Sequence, residues 1–293
     1  MDIADKIAFV TGGSGGLGSV IARHLAAHGA NVAISYGQNA DAAEAVKREI
    51  TAMGRACCVV PMDQTAPASI DQAVDQVVSS LGGIDILVNN AAWNAAVPFA
   101  DLDALTPELW DRMHHTNLRG PFLVTRACAP HLRKHKRGRV VSISAFIGLS
   151  AEGSSIAHAT AKAGLIHLNR CLAAAMAPDV TVNSVAPGLM EGTAMFNRLS
   201  GDAVEAGRQR AKLNRHTDLQ DVAEQVLTFA GRKVSPVRFL LSMGALFFTD
   251  RRGAEGGGDG VYFGSDGFYR GCEAEFGFRG FSQGADRTGS EHL

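Results

Sequence analysis

A four-residue apolar run, Ile7 to Val10, passes without a spacer into Thr11-Gly12-Gly13-Ser14-Gly15-Gly16-Leu17-Gly18. Few folds accept five glycines in eight residues at that place. The run reads as a strand buried on both faces, because it is short, continuous and apolar. Behind the glycines, Leu17, Ile21 and Leu25 recur at helical spacing, and Gly29 is a stop signal. A glycine turn between a buried strand and an amphipathic helix allows a tight bend and close backbone approach to a bound group. It also points the free N–H groups of a helix start, with their partial positive charge, at that group. Such a turn suits a pyrophosphate. A plain loop is the alternative reading.

The rest of the chain repeats the strand–helix unit. Residues 31–36, 56–63, 84–92, 138–145 and 180–188 each carry an apolar stretch that reads as a strand. Residues 40–54 and 68–83 read as helices ending at glycines, 155–177 as a long helix and 221–229 as a last one. Strands apolar on both faces and alternating with helices call for α/β architecture: a Rossmann-type, doubly wound parallel sheet with helices on both faces. Ligands in such sheets sit beyond the carboxyl ends of the strands.

Composition excludes several classes. The formal net charge of −1 provides no field for nucleic acid or an anionic membrane. The basic stretch at residues 133–139 reads as a solvated helix end rather than a nucleic-acid patch. Acids at positions 2 and 5 stand where a secretion signal would be basic, and no apolar run approaches the ~20 residues needed to span a bilayer. A cytoplasmic protein is expected. Cys57, Cys58, Cys128, Cys171 and Cys272 show no CxxC pairing, so no metal site is expected.

The glycine spacing is T-G-x-x-x-G-x-G. With Asn89-Asn90-Ala91-Ala92, Asn117-Leu118-Arg119-Gly120, Ala161-Lys162-Ala163-Gly164 and the stretch from Asn183 to Gly188, it resembles the short-chain dehydrogenase/reductase family, 3-oxoacyl-reductase-like members in particular. The motifs come in the family's order and span about residues 3–231. The resemblance implies a nicotinamide cofactor and a small carbonyl or alcohol substrate. Gly12, Ser14, Gly16, Leu17 and Gly18 would line the pyrophosphate, and Asp63 would meet the adenine amino group unless it is a turn residue. Asn90 and Ala91 would lie by the adenosine ribose. Pro187, Gly188 and Thr193 would flank the nicotinamide. No acid closes the second strand, where residues 33–39 read Ala-Ile-Ser-Tyr-Gly-Gln-Asn. An acid there would hold a ribose 2′-hydroxyl and repel a 2′-phosphate. Its absence favours NADP(H) over NAD(H), although no arginine in the glycine loop attracts the phosphate.

At the chemical end the resemblance implies four groups: a tyrosine acid, a lysine four residues later that tunes it and holds the nicotinamide ribose, a carbonyl-polarising serine and an asparagine that anchors a proton relay. Lys162 and Asn117 match. The tyrosine position holds His158, and the serine position, three before Gly148, holds Ala145, with Ser144 one residue early. An imidazole of ordinary pKa ~6.5 exchanges protons at neutral pH, but it is shorter than a phenol, and Lys162 disfavours its charged form. His158 therefore reads either as a substitute acid or, preferably, as a tolerated structural replacement. Two functions follow: a weak NAD(P)(H)-dependent oxidoreductase acting between ketone and alcohol, or a catalytically impaired dinucleotide-binding protein. Residues 92–105 and 189–213 are the expected substrate-pocket segments.

The strand–helix alternation stops near Gly231, and little regular structure is expected past about residue 250, where glycines cluster. The family's last strand is not encoded after the helix at 221–229. Permitted codons for residues 233–245, regrouped from each third base, can spell Ser-Val-Thr-Gly-Gln-Val-Leu-Val-Ile-Asp-Gly-Gly, a sequence of that strand's type. Residues 1–231 are thus expected to form the dinucleotide-binding and catalytic domain. Residues 232–293 would be an atypical, poorly ordered tail read out of frame, with the last strand missing. The homo-oligomer that the family resemblance implies is put in doubt by that tail.

Overall fold

The computed structural model describes residues 3–211, 213–231, 239–240 and 262–263. Six parallel strands form the sheet: β1 (Ile7–Val10), β2 (Asn31–Tyr36), β3 (Cys57–Pro61), β4 (Ile86–Asn89), β5 (Gly138–Ile143) and β6 (Val180–Val185). Their order is β3-β2-β1-β4-β5-β6, so the chain reverses its direction of travel at β1, between β2 and β4. Among the described residues eight α-helices accompany them: α1 (Gly16–Ala27), α2 (Ala40–Ala52), α3 (Pro67–Leu81), α4 (Pro107–His114), α5 (Gly120–Arg133), α6 (Ile156–Met176), α7 (Gly201–Arg210) and α8 (Leu219–Gly231).

The pleat of each strand divides its side chains between two cores. Ala8 and Val10, Val32 and Ile34, and Ile86 and Val88 join residues of α1, α2 and α8 on one face. Phe9, Ala33 and Leu87, which alternate with them, join residues of α3, α5 and α6 on the other. Burial on both faces is why these strands read as continuous apolar runs. Side chains cap the starts of α2, α4 and α6: Asn39 accepts from Ala42 N at 2.9 Å, Thr106 from Leu109 N at 3.3 Å and Ser155 from His158 N at 3.1 Å. At α1 the N-cap is Gly15, which offers no side chain, so the first-turn N–H groups are left for something else.

Beside β6 lies a two-residue segment, β7 (Phe239–Leu240), which runs parallel to it with Phe239 opposite Ser184 and Leu240 opposite Val185. A second two-residue strand, β8 (Tyr262–Phe263), pairs antiparallel with β7. The physical reason is the open edge itself: unpaired N–H and C=O groups on β6 accept any short β-prone segment, and aromatic residues suit a strand. The remainder of the anticipated out-of-frame tail lies outside the described residues. Among the described residues no helix is long and apolar enough to cross a membrane, and no cluster of His, Cys, Asp or Glu could hold a metal ion.

Candidate active site

A cleft of about 860 Å³ opens at the carboxyl ends of the strands, over the switch point between β1 and its two neighbours. The glycine turn forms one end. Thr11 is fully buried, and its hydroxyl oxygen accepts from the backbone N–H of Asn90 and of Ala91, each at 3.0 Å. Asn90 Nδ2 donates back to the carbonyls of Thr11 (2.9 Å) and Gly12 (3.2 Å). From the β2 side, Ser35 Oγ accepts from Gly12 N at 3.2 Å. The turn is thus tied to the ends of both strands that flank β1.

Gly12 and Gly18 show why the turn needs glycine. Gly12 has a φ of +64°, and a Cβ on Gly18 would lie 2.2 Å from the carbonyl oxygen of Gly12. The resulting cradle places uncapped α1 N–H groups at the cleft floor, where a negative group is stabilised by both hydrogen bonds and the helix dipole. The residues fit the pyrophosphate of a dinucleotide.

Most sequence-predicted residues come together here. Gly12, Ser14, Gly16, Leu17, Gly18, Asp63, Asn90, Ala91, His158, Lys162, Pro187, Gly188 and Thr193 all border the cleft. Their side chains are partly committed, however. Asp63 Oδ1 accepts from Thr65 N (2.8 Å) and Thr65 Oγ1 (2.7 Å), which is a turn role. The Asn90 amide braces the turn rather than reaching outward. Thr193 Oγ1 donates to Met190 O at 3.0 Å and accepts from Phe196 N at 3.2 Å, folding the segment after β6 over the turn. Of the expected substrate segments, Ala92, Trp93, Leu189, Met190, Ala194 and Met195 reach the cleft.

Asn117 is the predicted residue that does not border the cleft. It lies in a π-helical stretch, His115–Arg119, between α4 and α5. Its Oδ1 accepts from Trp93 N at 3.0 Å and its Nδ2 donates to Trp93 O at 2.6 Å. Both ends of the amide hold one backbone segment, using one N–H and one oxygen lone pair of the carboxamide.

Lys162 and His158 stand one helical turn apart on α6, both buried. Lys162 Nζ donates to Ile143 O at 2.8 Å, clamping α6 to the end of β5. Burial pulls its pKa down to about 8. Burial first, and the Lys162 charge second, push the His158 imidazole down to about 3. At neutral pH His158 is therefore uncharged and has no readily given proton. Ser144 Oγ donates to Lys162 O at 3.0 Å and so is used in docking α6, while Ala145 borders the cleft without a hydroxyl.

Several site residues carry no sequence signal. Gln64 Nε2 donates to Ala91 O at 3.0 Å and Thr116 O at 2.8 Å, joining the end of β3 to the β4 end and to the π-helical stretch. Arg112 stacks its guanidinium 4.0 Å from the Trp93 ring centroid at the cleft mouth. Ser154 Oγ lies 3.0 Å from His158 Nδ1 and accepts from Asn94 Nδ2 at 3.2 Å.

Comparison with known proteins agrees with this arrangement. The short chain dehydrogenase family model matches residues 6–203. The 3-oxoacyl-(acyl-carrier-protein) reductase of Aquifex aeolicus is 35% identical over 76% of this chain and 88% of its own length. A short chain dehydrogenase from Burkholderia cenocepacia, solved in complex with NADP, superposes with a TM-score of 0.77 at 34% identity, covering 84% of this chain and 99% of that one. A blue fluorescent protein from a metagenomic library, solved with NADPH, gives 0.76 at 31% identity, with 84% and 99% covered. A family-model match over most of the chain, together with a relative of this identity and coverage, has one meaning: the chain belongs to the short-chain dehydrogenase family.

Proposed function

We propose that the protein is an NADP(H)-binding oxidoreductase whose hydride transfer between a ketone and an alcohol is weak. The observation that carries this reading is the uncapped start of α1 behind a glycine turn stitched to β2 and β4. That cradle needs an anionic partner, and a dinucleotide pyrophosphate supplies one. Gly12, Ser14, Gly16, Leu17 and Gly18 would hold it, with Asp63 and Ala91 toward the adenosine and Lys162, Pro187, Gly188 and Thr193 toward the nicotinamide. When bound, the nicotinamide supplies or takes the hydride.

The 2′-phosphate is favoured by what borders the cleft after β2: Ser35, Tyr36, Gly37 and Gln38, with no carboxylate among them. The NADP and NADPH complexes of the two similar structures support the same preference. Residues 1–231 would suffice for binding and chemistry, with 232–293 as an atypical tail. Catalysis is expected to be slow because the proton source is poor. His158 is neutral and Ala145 has no hydroxyl. These same observations support the second reading, a dinucleotide-binding protein without useful turnover.

Titration of the full chain with NADPH and NADH, read by nicotinamide fluorescence, tests the first reading. Tighter binding of NADPH is expected, and failure to bind either nucleotide would refute it. A ketone panel then separates the two readings. Measurable turnover that rises in His158→Tyr combined with Ala145→Ser favours the enzyme.

A further inference from the structure

Arg112 is a cation that the proposed chemistry leaves unused. Among the described residues, the Asp, Lys and Arg side chains that border the cleft are Asp63, Lys162 and Arg112. Asp63 accepts two hydrogen bonds from Thr65, and the buried Lys162 donates to Ile143 O. Arg112 is exposed at the cleft mouth. Among the described residues no carboxylate pairs with it and no acceptor takes any of its N–H groups. Asp111 is its neighbour on α4, and adjacent helix residues do not face each other. Glu108 lies one turn earlier and is held below the ordinary carboxylate range by the Thr106 hydroxyl first and its own backbone N–H second. Its carboxylate is thus spent at the helix start.

The guanidinium has a fixed seat all the same. It lies 4.0 Å from the centroid of the Trp93 ring, and the backbone of Trp93 is held by both ends of the Asn117 carboxamide. An arginine that grips a ligand from free solution loses rotamer freedom, and a ring contact takes part of that loss in advance. Contact with an aromatic ring uses the face of the guanidinium. The N–H edge stays open, and its fork matches two oxygens of a carboxylate or a phosphate. The expected substrate segments bring Trp93, Leu189, Met190 and Met195 to the same cleft, and these side chains are apolar. One seated cation on an otherwise apolar wall selects a ligand with an apolar stem and an anionic end.

We propose that Arg112 is a specificity-determining residue. It receives an anionic oxygen group, carboxylate or phosphate, that the substrate carries at the end remote from its reacting carbon. Trp93 is the positioning residue that seats the guanidinium. The inference rests on the proposed function in taking the cleft as a ketone site, and it names the substrate class: an amphipathic ketone with a charged end.

The test is ligand binding to the full chain, with and without NADPH. The readout is tryptophan fluorescence in a Trp110→Phe background, which leaves Trp93 as the reporter beside Arg112. The probes are levulinate and 7-oxooctanoate with their methyl esters, and dihydroxyacetone phosphate with dihydroxyacetone. At least one charged probe should bind about tenfold more tightly than its neutral partner, as a charge-assisted hydrogen bond predicts. High salt should shrink that gap. Arg112→Gln should abolish it while leaving the neutral partner's affinity unchanged, and Arg112→Lys should keep part of it. A gap among the acids assigns the site to carboxylate, and a gap in the phosphate pair alone assigns it to phosphate. No binding, equal binding within every pair, or an Arg112→Gln variant that weakens both members alike would overturn the proposal. The parent comparison decides even if the variant does not fold. NADPH affinity on the same samples separates the two ideas. A parent chain that binds no nucleotide would sink the proposed function, while a charge preference measured without nucleotide would stand. Loss of NADPH affinity in Arg112→Gln alone would put the arginine on the nucleotide and overturn this proposal.

Discussion

At the glycine turn, Thr11, Ser35 and Asn90 spend their polar atoms on backbone groups of the turn and of β4, and the groups left open are the first N–H groups of α1. Around His158 the polar atoms are spent differently. Ser144 and Lys162 dock α6 onto β5, Asn117 holds Trp93, and a ring nitrogen remains without a partner. The first region leaves backbone N–H groups open toward the cleft. The second is organised around its own packing. The contrast teaches that a cofactor cradle persists on backbone geometry, which any side chains compatible with the turn preserve. Proton transfer depends on particular side chains with tuned pKa values.

The largest expected effect tests whether the His158 region is a structural site held in a neutral state. In the unfolded chain the imidazole protonates near its ordinary 6.5, while burial holds it near 3 in the fold. The unfolded state therefore binds more protons between these values, so this contribution to stability is present above about pH 6.5 and is lost as pH falls through about 3. The full window corresponds to a loss on the order of 5 kcal/mol. Urea unfolding of the parent and His158→Gln between pH 7 and 4 should show a steeper acid loss in the parent. Equal slopes would mean that the ring is charged or exposed, and the contrast between the regions would break.

The next effect falls on the turn. In Gly18→Ala the new methyl would sit 2.2 Å from Gly12 O and 2.5 Å from Asn90 Nδ2. Backbone has to move, and the cradle with it. Nucleotide affinity should drop by about 100-fold, roughly 3 kcal/mol. Near-normal NADPH titration of a folded Gly18→Ala protein would show that the turn is not the anion site.

How much of this could be read from the residues alone differs between the same two regions. The strands and the glycine turn are local patterns: the 7–10 run and the spacing of Leu17, Ile21 and Leu25 carry their own periodicity, and both appear where expected. The side-chain braces are not local. Gln64 reaches carbonyls 27 and 52 positions away, and Ser35 meets Gly12 across 23. Nothing in a glutamine's neighbours announces such a contact. Asn117 was legible as a motif but not as a clamp on Trp93, because its π-helical turn depends on how α4 meets α5. The Asn94–Ser154–His158 contacts cross 60 positions and have no repeating pattern to reveal them.

A smaller effect sharpens the idea that the turn is self-braced. Thr11→Val keeps the shape of a fully buried side chain but removes the oxygen that accepts from Asn90 N and Ala91 N. Two buried N–H groups would lose their partner, with an expected stability loss of about 2 kcal/mol. The measurement is a urea midpoint with unchanged slope, and a loss under about 0.5 kcal/mol would mean that the turn holds without this oxygen.

The smallest effect concerns the mouth between the two regions. Arg112 lies over the Trp93 ring, and Trp93 in turn is gripped by both ends of Asn117. A cation above an exposed indole contributes about 0.5–1 kcal/mol. Arg112→Ala should therefore cost little stability and leave the glycine turn, and with it nucleotide affinity, within about twofold of the parent. It should loosen the segment that Asn117 holds, which a rise in amide exchange at Trp93 would report. Arg112→Lys retains the charge but not the flat guanidinium stack, so it should recover only part of the protection. If Arg112→Ala instead weakens NADPH binding as much as Gly18→Ala does, the arginine contacts the nucleotide itself. The phosphate and chemical ends would then share a side-chain anchor, and the division between backbone-built and side-chain-built regions would not hold.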